Sequence, residues 1–352
     1  MRPHGAAAVA GFRVYVDGAL RASLRATSYR VGGLRCNTSY VFAVGSYDAR
    51  GRNSQRRSRR VRTTLCVGRC FASPGSCGYP DPAHGNVGVP DGVHLTPSGS
   101  ITISTAGAVI SGLNVTGSIT VRANNVTIQN SRITAGGAGG TAVSAGRVSG
   151  LTIKNSEISG GNVFDGRATL SGVYMHDCDE CAQYPTNIQD SYLIANQSNA
   201  GSHYEPVYAD SDTLVVEHSV LLNPHSQTAA VFMDTSGGGA CDNHLTIDNS
   251  LLAGGGYTVY PCANASSAGS SVIKITNNRF ARCTTAPVVH NDSGGGNFCD
   301  GVGSPRGDVV TKPDGTGYFP NGGGYGLDAS IYCGQTTWSN NVWDDNGATA
   351  GC

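Results

Sequence analysis

A short phrase of alternating apolar and polar residues returns seven times between residue 126 and the C-terminal region. In each eight-residue copy, positions 1 and 3 are generally apolar, position 5 is generally Asn or a similar polar residue, and position 8 is apolar. Positions 2 and 4 are spacers. Such alternation is typical of strands that bury one face. Intervals of 25, 28, 31 and 28 residues separate several copies, which is the length of one coil of a stacked repeat. The copies are VTIQNSRI from Val126, LTIKNSEI from Leu151, TNIQDSYL from Thr186, LVVEHSVL from Leu214, LTIDNSLL from Leu245, IKITNNRF from Ile273 and TTWSNNVW from Thr336.

The fifth position of the phrase predicts a turn. It is Asn in most copies, and Asn tolerates left-handed backbone while bonding its own neighbours. A leucine-rich repeat would need helical return segments, and the chain has almost no helical periodicity. The pattern therefore predicts an all-β fold, a right-handed parallel β-helix, whose strands stack their apolar residues in columns. The turn positions are Asn130, Asn155, Asp190, His218, Asn249, Asn277 and Asn340.

Composition supports short strands and points to an oxidising compartment. The 352 residues include 50 Gly and 12 Cys, and a heavy, even Cys count favours disulfides. We expect Cys241 to pair with Cys262 and Cys283 with Cys299, since each pair brackets one loop. The sequence CxxC at Cys178 favours a local disulfide or two separate staples over a redox or zinc site. No apolar stretch approaches the roughly 18 residues of a membrane span.

The first 64 residues form a separate pattern. The segments VAGFRVYVDG, ATSYRVGGL and TSYVFAVGSYDARGRNS alternate as strands between turns, and they resemble the second half of a fibronectin type III module without its first two strands. This part holds 13 Arg and 2 Asp, a charge of +11, and residues 65–352 carry the balancing −11. The Arg run from Arg56 to Arg62 favours a solvated edge strand over contact with nucleic acid or an acidic glycan.

The predicted domains are therefore a partial fibronectin type III-like module over 1–64, a Cys/Pro/Gly-rich linker leading into the stack over 65–92, and the β-helix over 93–352. No export signal is visible after Met1. Because the Cys content is typical of secreted proteins, we expect that residue 1 is not the biological start.

A second set of strands lies between the phrases: HYEPVYAD, TAAVFMD, GYTVYPC and APVVHN. Aligning Val207, Val231, Val259 and Val288 puts Asp210 beside Asp234 on adjacent coils, about 4.8 Å apart. Two such carboxylates would hold a cation such as Ca²⁺ or share a proton; alternatively, both cap strand ends by bonding backbone amides.

Around this pair lies the densest group of titratable residues in the sequence. We predict catalytic roles for His203, Glu205, His225, Asp210 and Asp234, and a metal site of Asp210, Asp234 and Glu205. In a lyase, His203 or His225 would abstract a proton while the carboxylates hold Ca²⁺. In a hydrolase, Glu205 would be the acid and an aspartate its partner. The predicted substrate-binding residues are Tyr204, Tyr208, Phe232, Tyr257, Tyr260 and His290, for which packing between coils is the alternative.

The segment from about 93 to 352 resembles the pectate lyase-like superfamily, including secreted actinobacterial β-helix proteins. HYEPVY is similar to the phrase H-x-D-G-I-Q of those proteins. The stretch from Glu205 to Phe232 resembles the pectate lyase segment that runs from a calcium-binding Asp to H-x-K, which places Asp210 at a calcium ligand and His225 at the histidine. Gln227 replaces the family's Lys, and NNRFARCTTAPVV lacks the family's catalytic arginines.

The resemblance implies a secreted, carbohydrate-active protein that cleaves an extracellular polysaccharide, by β-elimination of a uronate polymer with or without Ca²⁺, or by glycoside hydrolysis. The alternative is a non-catalytic glycan-binding or surface-structural protein. We expect an extracellular location, no organic cofactor, no membrane or nucleic-acid partner, and a monomer.

Overall fold

The computed structural model describes residues 9–32, 34–36, 38–64, 70–71, 73–136, 140–197, 204–210, 213–223, 229–234, 244–255, 257–260, 272–281 and 337–351. For Asp210, Asp234, Tyr257 and Tyr260 it describes the backbone alone. The described residues are all-β apart from two 3₁₀ helices, Pro74–Cys77 and Pro82–His84. Two compact units, Met1–Cys66 and Val67–Cys352, divide the chain. No helix in the described ranges is long and apolar enough to cross a membrane.

The first unit is one antiparallel sheet of four strands. Asp17 and Gly18 both have positive φ, 49° and 81°, as a two-residue hairpin turn of the Asp-Gly type requires. In sheet order the strands are Ala19–Leu24, Val9–Val16, Ser39–Asp48 and Arg57–Arg62.

The second unit consists of parallel strands in three rows, and each strand pairs with its equivalent one repeat later. Row 1 holds Val109–Ser111, Thr127–Gln129, Val143–Lys154, Phe164–Ser171, Asn187–Gln189, Thr213–Glu217, His244–Asp248, Val272–Thr276 and Thr337–Ser339. Row 2 holds Thr96–Ser98, Leu113–Thr116, Arg132–Thr134, Glu157–Gly161, Tyr174–Cys178, Tyr192–Ile194, Val220–Asn223, Leu251–Gly254, Arg279–Phe280 and Val342–Trp343. Row 3 holds Ile101–Ile103, Ile119–Val121, Glu180–Gln183, Glu205–Asp210, Ala229–Asp234 and Tyr257–Tyr260, and the first halves of Val143–Lys154 and Phe164–Ser171 join it to row 1.

Register stacks the apolar residues of the phrase in columns, as the sequence predicts. In row 1 the column runs through Ile128, Ile153, Leu170, Ile188, Val216, Ile247 and Ile275, all of which are fully buried. Row 2 contributes Val115, Ile133, Ile158, Met175, Leu193, Leu221, Leu252 and Phe280, which are also fully buried. Each fully buried side chain of this kind contributes about 1.5–3 kcal/mol relative to an exposed one.

All seven predicted turn residues have left-handed backbone, with φ between 47° and 60°. Two further coils have Gly at this position, Gly112 at 70° and Gly172 at 66°. These coils do not match the phrase, which has a polar side chain at the turn, because the backbone there requires only a residue that tolerates positive φ.

The residue after the turn forms a buried polar ladder. The hydroxyl of Ser191 accepts a hydrogen bond from the N–H of Val173 at 3.1 Å and donates to the carbonyl of Gln189 at 2.8 Å. Equivalent bonds follow at Ser131, Ser156, Ser219 and Ser250, and the amides of Asn278 and Asn341 replace the hydroxyl in the last coils. The Asn-Ser pair of the phrase thus satisfies backbone groups that no strand partner reaches.

Residues 70–71 and 73–92 pack along the stack, and we call this segment the strap. It runs from the last coil to the first. The backbone N–H groups of Cys70 and Phe71 donate to the Asp344 carboxylate at 2.9 and 2.8 Å. Tyr79, fully buried, stacks on the His218 ring at 5.7 Å, and the N–H of Gly88 donates to the carbonyl of Gly172 at 3.0 Å. The turn-rich sequence, assigned above to a linker, gave no sign of this packing.

Candidate functional site

The row 3 strands have the register that the sequence alignment requires. Val207 pairs with Val231 and Val231 with Val259, and the backbone of Asp210 pairs with that of Asp234. Neighbouring strands lie about 4.8 Å apart. The two predicted aspartates therefore occupy equivalent positions at the ends of adjacent strands.

Glu205 lies away from this pair. It begins the strand that Asp210 ends, which puts about 16 Å between the two backbones. Its side chain is fully buried, and the neighbouring Tyr204 is 9% exposed, with its carbonyl bonded to the Asn223 amide. Because two carboxylate side chains cannot span that distance to one ion, the structure does not bring Glu205 into a common metal site with Asp210 and Asp234.

Three aromatic side chains form a row on this part of the stack. The Tyr184 and Tyr208 rings meet edge to face at 5.6 Å, and Tyr208 lies 5.4 Å from Phe232. Tyr184 is 36% exposed, whereas Phe232 is 8% exposed. Tyr260 pairs with Phe232 through its backbone and continues the row by one coil. The exposed end of the row is thus Tyr184, which was not among the predicted residues.

Tyr184 also borders a cleft of about 540 Å³ at the corner where row 3 turns into row 1. Arg147 and Arg167 are exposed, and Asp165 is half-buried. Gly146 pairs with Gly166 on adjacent strands, so the two arginines follow equivalent positions. We call this the corner cleft; it is lined by Gly146, Arg147, Asp165, Gly166, Arg167, Tyr184, Pro185, Thr186 and Thr213.

Backbone geometry places Asp210 at the same corner. The N–H of Tyr184 donates to the carbonyl of Tyr208 at 2.6 Å, and Asp210 follows Tyr208 by two residues, about 7 Å along the strand. Thr213, which lines the cleft, follows Asp210 by three residues. The corner cleft and the aspartate pair therefore belong to consecutive coils of one edge.

Sequence reasoning missed the corner cleft although a signal was present. Gly-Arg occurs twice shortly before a row 1 segment, at Gly146-Arg147 and Gly166-Arg167. The glycines have positive φ, 49° and 143°, and a side chain at Gly166 would come within 2.7 Å of the Ala145 side chain. The repeated Gly-Arg dipeptide, which combines a glycine that can adopt positive φ with a cationic side chain, is the sequence signal for this cleft.

Other predicted residues fall outside the described ranges. They are His203, His225 and His290, the Val288 position of the valine column, and the pairs Cys241 with Cys262 and Cys283 with Cys299. Cys178 and Cys181 form a disulfide, as the local-staple prediction required, and Cys70 pairs with Cys77. Among the described side chains, no three His, Cys, Asp or Glu residues are placed to hold a metal ion.

A second group of titratable residues lies on row 2. Glu157 accepts hydrogen bonds from Arg132 at 2.9 and 3.0 Å and lies 3.4 Å from Nε2 of His176. Nδ1 of His176 is 2.9 Å from Asp177, and its ring stacks on Tyr174 at 4.3 Å. Burial acts to lower the pKa of His176, but Glu157 and Asp177 outweigh it and raise the pKa above its usual value. The hydrogen bond from His176, with help from Arg132, holds the pKa of Glu157 below its usual value.

These pKa shifts predict a pH range in which the His176–Glu157 contact adds to the free energy of unfolding. A raised His pKa stabilises the fold below its unfolded value of 6.5 and loses this effect as pH rises through the folded pKa. A lowered Glu pKa stabilises above 4.5 and loses its effect as pH falls. We expect His176→Gln to cost about 1 kcal/mol between these values and less at pH 8, measured by urea unfolding across pH. A cost that is independent of pH would contradict the assignment.

No protein-family model, curated protein or solved structure matches this chain.

Proposed function

We propose that this protein is a secreted, carbohydrate-active right-handed parallel β-helix that binds an acidic extracellular polysaccharide in the corner cleft and cleaves it with Asp210 and Asp234. The observation that carries the proposal is the lining of the cleft: Arg147 and Arg167 on adjacent coils beside the exposed ring of Tyr184. The disulfides at Cys70 and Cys178 support an oxidising, extracellular location.

Three repeating rows of parallel strands with left-handed corners support the β-helix assignment. The resemblance to the pectate lyase-like superfamily points the same way. For the first unit, four antiparallel strands with an Asp-Gly turn support the partial fibronectin type III module.

Binding in the cleft follows from the chemistry of its side chains. Guanidinium groups pair with carboxylates through two parallel hydrogen bonds, so two of them favour a uronate over a neutral sugar. The face of Tyr184 suits the apolar face of a sugar ring, while the hydroxyl oxygens of Thr186 and Thr213 can accept hydrogen bonds from sugar hydroxyls. The Thr186 hydroxyl is fixed by a 3.0 Å hydrogen bond to the carbonyl of Ala168.

Cleavage is assigned to the aspartate pair because of its position and spacing. Neighbouring strands are about 4.8 Å apart, close to the roughly 5–5.5 Å between the two carboxyl groups of retaining glycosidases. One aspartate would protonate the leaving oxygen while the other attacks the anomeric carbon; water, deprotonated by the first aspartate, would then hydrolyse the glycosyl-aspartate bond and restore both side chains. In the lyase alternative, His203 or His225 removes the proton next to the uronate carboxylate while the arginines neutralise that carboxylate; a C4–C5 double bond forms, the C4–O bond breaks, and the leaving oxygen takes a proton from solvent.

Calcium does not fit the described residues as a complete site. Ca²⁺ takes six to eight oxygens, and the described coils supply the Asp210–Asp234 positions without Glu205. No step of the proposed cleavage is therefore assigned to a metal.

The double substitution Arg147→Gln with Arg167→Gln tests the cleft. We expect KM for polygalacturonate to rise about tenfold to a hundredfold, since each lost charge-assisted contact costs roughly 1 kcal/mol or more, with little change on a neutral polysaccharide. Cleavage is followed by reducing ends and by ultraviolet absorbance of unsaturated products, which separates hydrolase from lyase.

The matched control is Lys154→Gln with Lys274→Gln, which removes two positive charges from row 1 at positions that do not line the cleft. An equal rise of KM in both double variants would mean that net charge, and not the cleft, binds the substrate. Thermal melting of each variant excludes loss of folding as the cause.

A non-catalytic glycan-binding protein is the second candidate. It is favoured by the packing of Phe232 against Tyr208 and by the complete burial of Glu205, since both residues then serve the structure alone. In that case the cleft variant loses affinity for polygalacturonate, while the wild-type protein releases neither reducing ends nor unsaturated products.

A further inference from the structure

Apart from Arg57 and Arg59, which pair with Val44 and Phe42, the sheet of the first unit separates apolar side chains from arginines. Alternate residues of a strand point to opposite faces. Phe12, Val14, Phe42 and Val44 share one face and line an apolar groove of about 530 Å³ together with residues of the 26–34 loop. The opposite face, which we call the arginine face, holds Arg13, Tyr15, Tyr47, Arg56, Arg60 and Arg62.

Two arginines of this face lie over tyrosine rings. The guanidinium carbon of Arg56 is 3.6 Å from the Tyr15 ring centre, and that of Arg13 is 5.0 Å from the centre of Tyr47. Stacking of this kind holds a guanidinium flat, and its N–H groups remain directed along the ring plane.

The unit's own carboxylates do not neutralise Arg56 and Arg60. Residues 1–64 contain two acidic side chains, Asp17 and Asp48. Asp48 accepts from Arg52 at 2.7 Å, and Asp17 accepts from the N–H of Val41 at 2.7 Å. Neither of them therefore balances the positive charges of Arg56 and Arg60.

The arginine face continues to an open edge. All six residues of Arg57–Arg62 are exposed, and in the described sheet this strand pairs on one side alone, with Ser39–Asp48. Arg60 and Arg62 point to the same face, about 7 Å apart along the strand. A row of cations at regular spacing matches a polymer with regularly spaced anions better than a single small ion.

We propose that the arginine face binds a linear acidic glycan, at a site separate from the corner cleft. The assignment rests on the proposed function for the choice of ligand, because an acidic polysaccharide is the substrate proposed there. A single-stranded nucleic acid fits less well: on the described arginine face Tyr15 is 6% exposed, and Tyr15 and Tyr47 each have an arginine over the ring, which leaves little aromatic surface there for base stacking.

The test compares two triple variants of the full chain, each combined with Arg147→Gln and Arg167→Gln so that the corner cleft does not contribute. Arg56→Gln, Arg60→Gln and Arg62→Gln alter the arginine face. Arg21→Gln, Arg25→Gln and Arg30→Gln remove equal charge from exposed positions at or next to the opposite edge strand. Binding of polygalacturonate is measured over a salt series, with a neutral polysaccharide and single-stranded DNA as further probes.

We expect the first triple variant to bind polygalacturonate about tenfold more weakly and with a shallower salt dependence, and the second to differ from its parent by less than twofold. Equal weakening in both triples would overturn the site, as would tighter binding of DNA than of polygalacturonate. Cleavage by the protein with an intact cleft is scored separately, so a failure of the proposed function is distinguishable from a failure of this site.

Discussion

Replacing Asp344 with Ala should lower the free energy of unfolding of the second unit by about 3–5 kcal/mol. Asp344 is 2% exposed and bonds the fully buried Arg279 at 2.6 Å. It also accepts the N–H groups of Cys70 and Phe71. Its removal takes this carboxylate from a buried guanidinium and from two backbone N–H groups, and breaking a buried pair in this way costs several kcal/mol.

Urea unfolding of the two proteins measures this difference. Asp91→Ala is the matched control, because Asp91 is an exposed acid on the same strap and should change stability by less than about 0.5 kcal/mol. The double variant Arg279→Met with Asp344→Leu should recover part of the loss, since no buried charge remains, but not all of it, since the strap amides still lack this carboxylate. A loss below 1 kcal/mol for Asp344→Ala would show that the strap is held elsewhere.

Asp210→Asn should reduce the turnover of an acidic polysaccharide by about 10²–10⁴ while leaving its dissociation constant within about twofold. The amide keeps the shape of the side chain but can neither donate a proton as a carboxylic acid nor attack as a carboxylate. Asp234→Asn should behave alike, and the double variant should lose little more than either single one, because the two residues act as a unit.

Asp190→Asn is the control for this experiment. Asp190 occupies the turn position that is Asn in five of the seven phrases, so the substitution is compatible with the fold. Unchanged turnover in both Asp210→Asn and Asp234→Asn, with a cleaving wild type, would remove the aspartate pair from the mechanism and direct attention to His203 and His225. A Ca²⁺ titration of thermal melting in the same variants tests whether the pair binds a cation.

The stacked strands were predictable from the sequence because repetition reports a local physical requirement in each coil. Left-handed backbone at Asn130 or His218 and burial of Ile128 or Val216 depend on a few neighbouring residues. The Asp210 and Asp234 register followed from the same periodicity. Glu205 was grouped with them because closeness in sequence was taken as closeness in space, whereas five residues of extended chain separate it from Asp210.

The strap and the corner cleft were harder to predict for a different reason. The contact of Cys70 with Asp344 joins positions 274 residues apart, and nothing periodic marks it. The cleft forms because Gly146, Gly166 and Tyr184, on three consecutive coils, bend the chain at the same corner. Its position could be predicted only by aligning the three coils with one another.

A stack of repeats ordinarily behaves as a linear array, in which each coil senses only its neighbours and the ends unravel first. The strap changes this connectivity, because it contacts the middle of the stack at Gly172 and His218 and the last coil at Asp344. Loss of the terminal coil therefore also releases the cover of His218 in the middle of the array. Coils that share no strand pairing therefore unfold in a single cooperative event. Folding must bring together the two ends of nearly the whole second unit, and this loop closure slows the last step of folding.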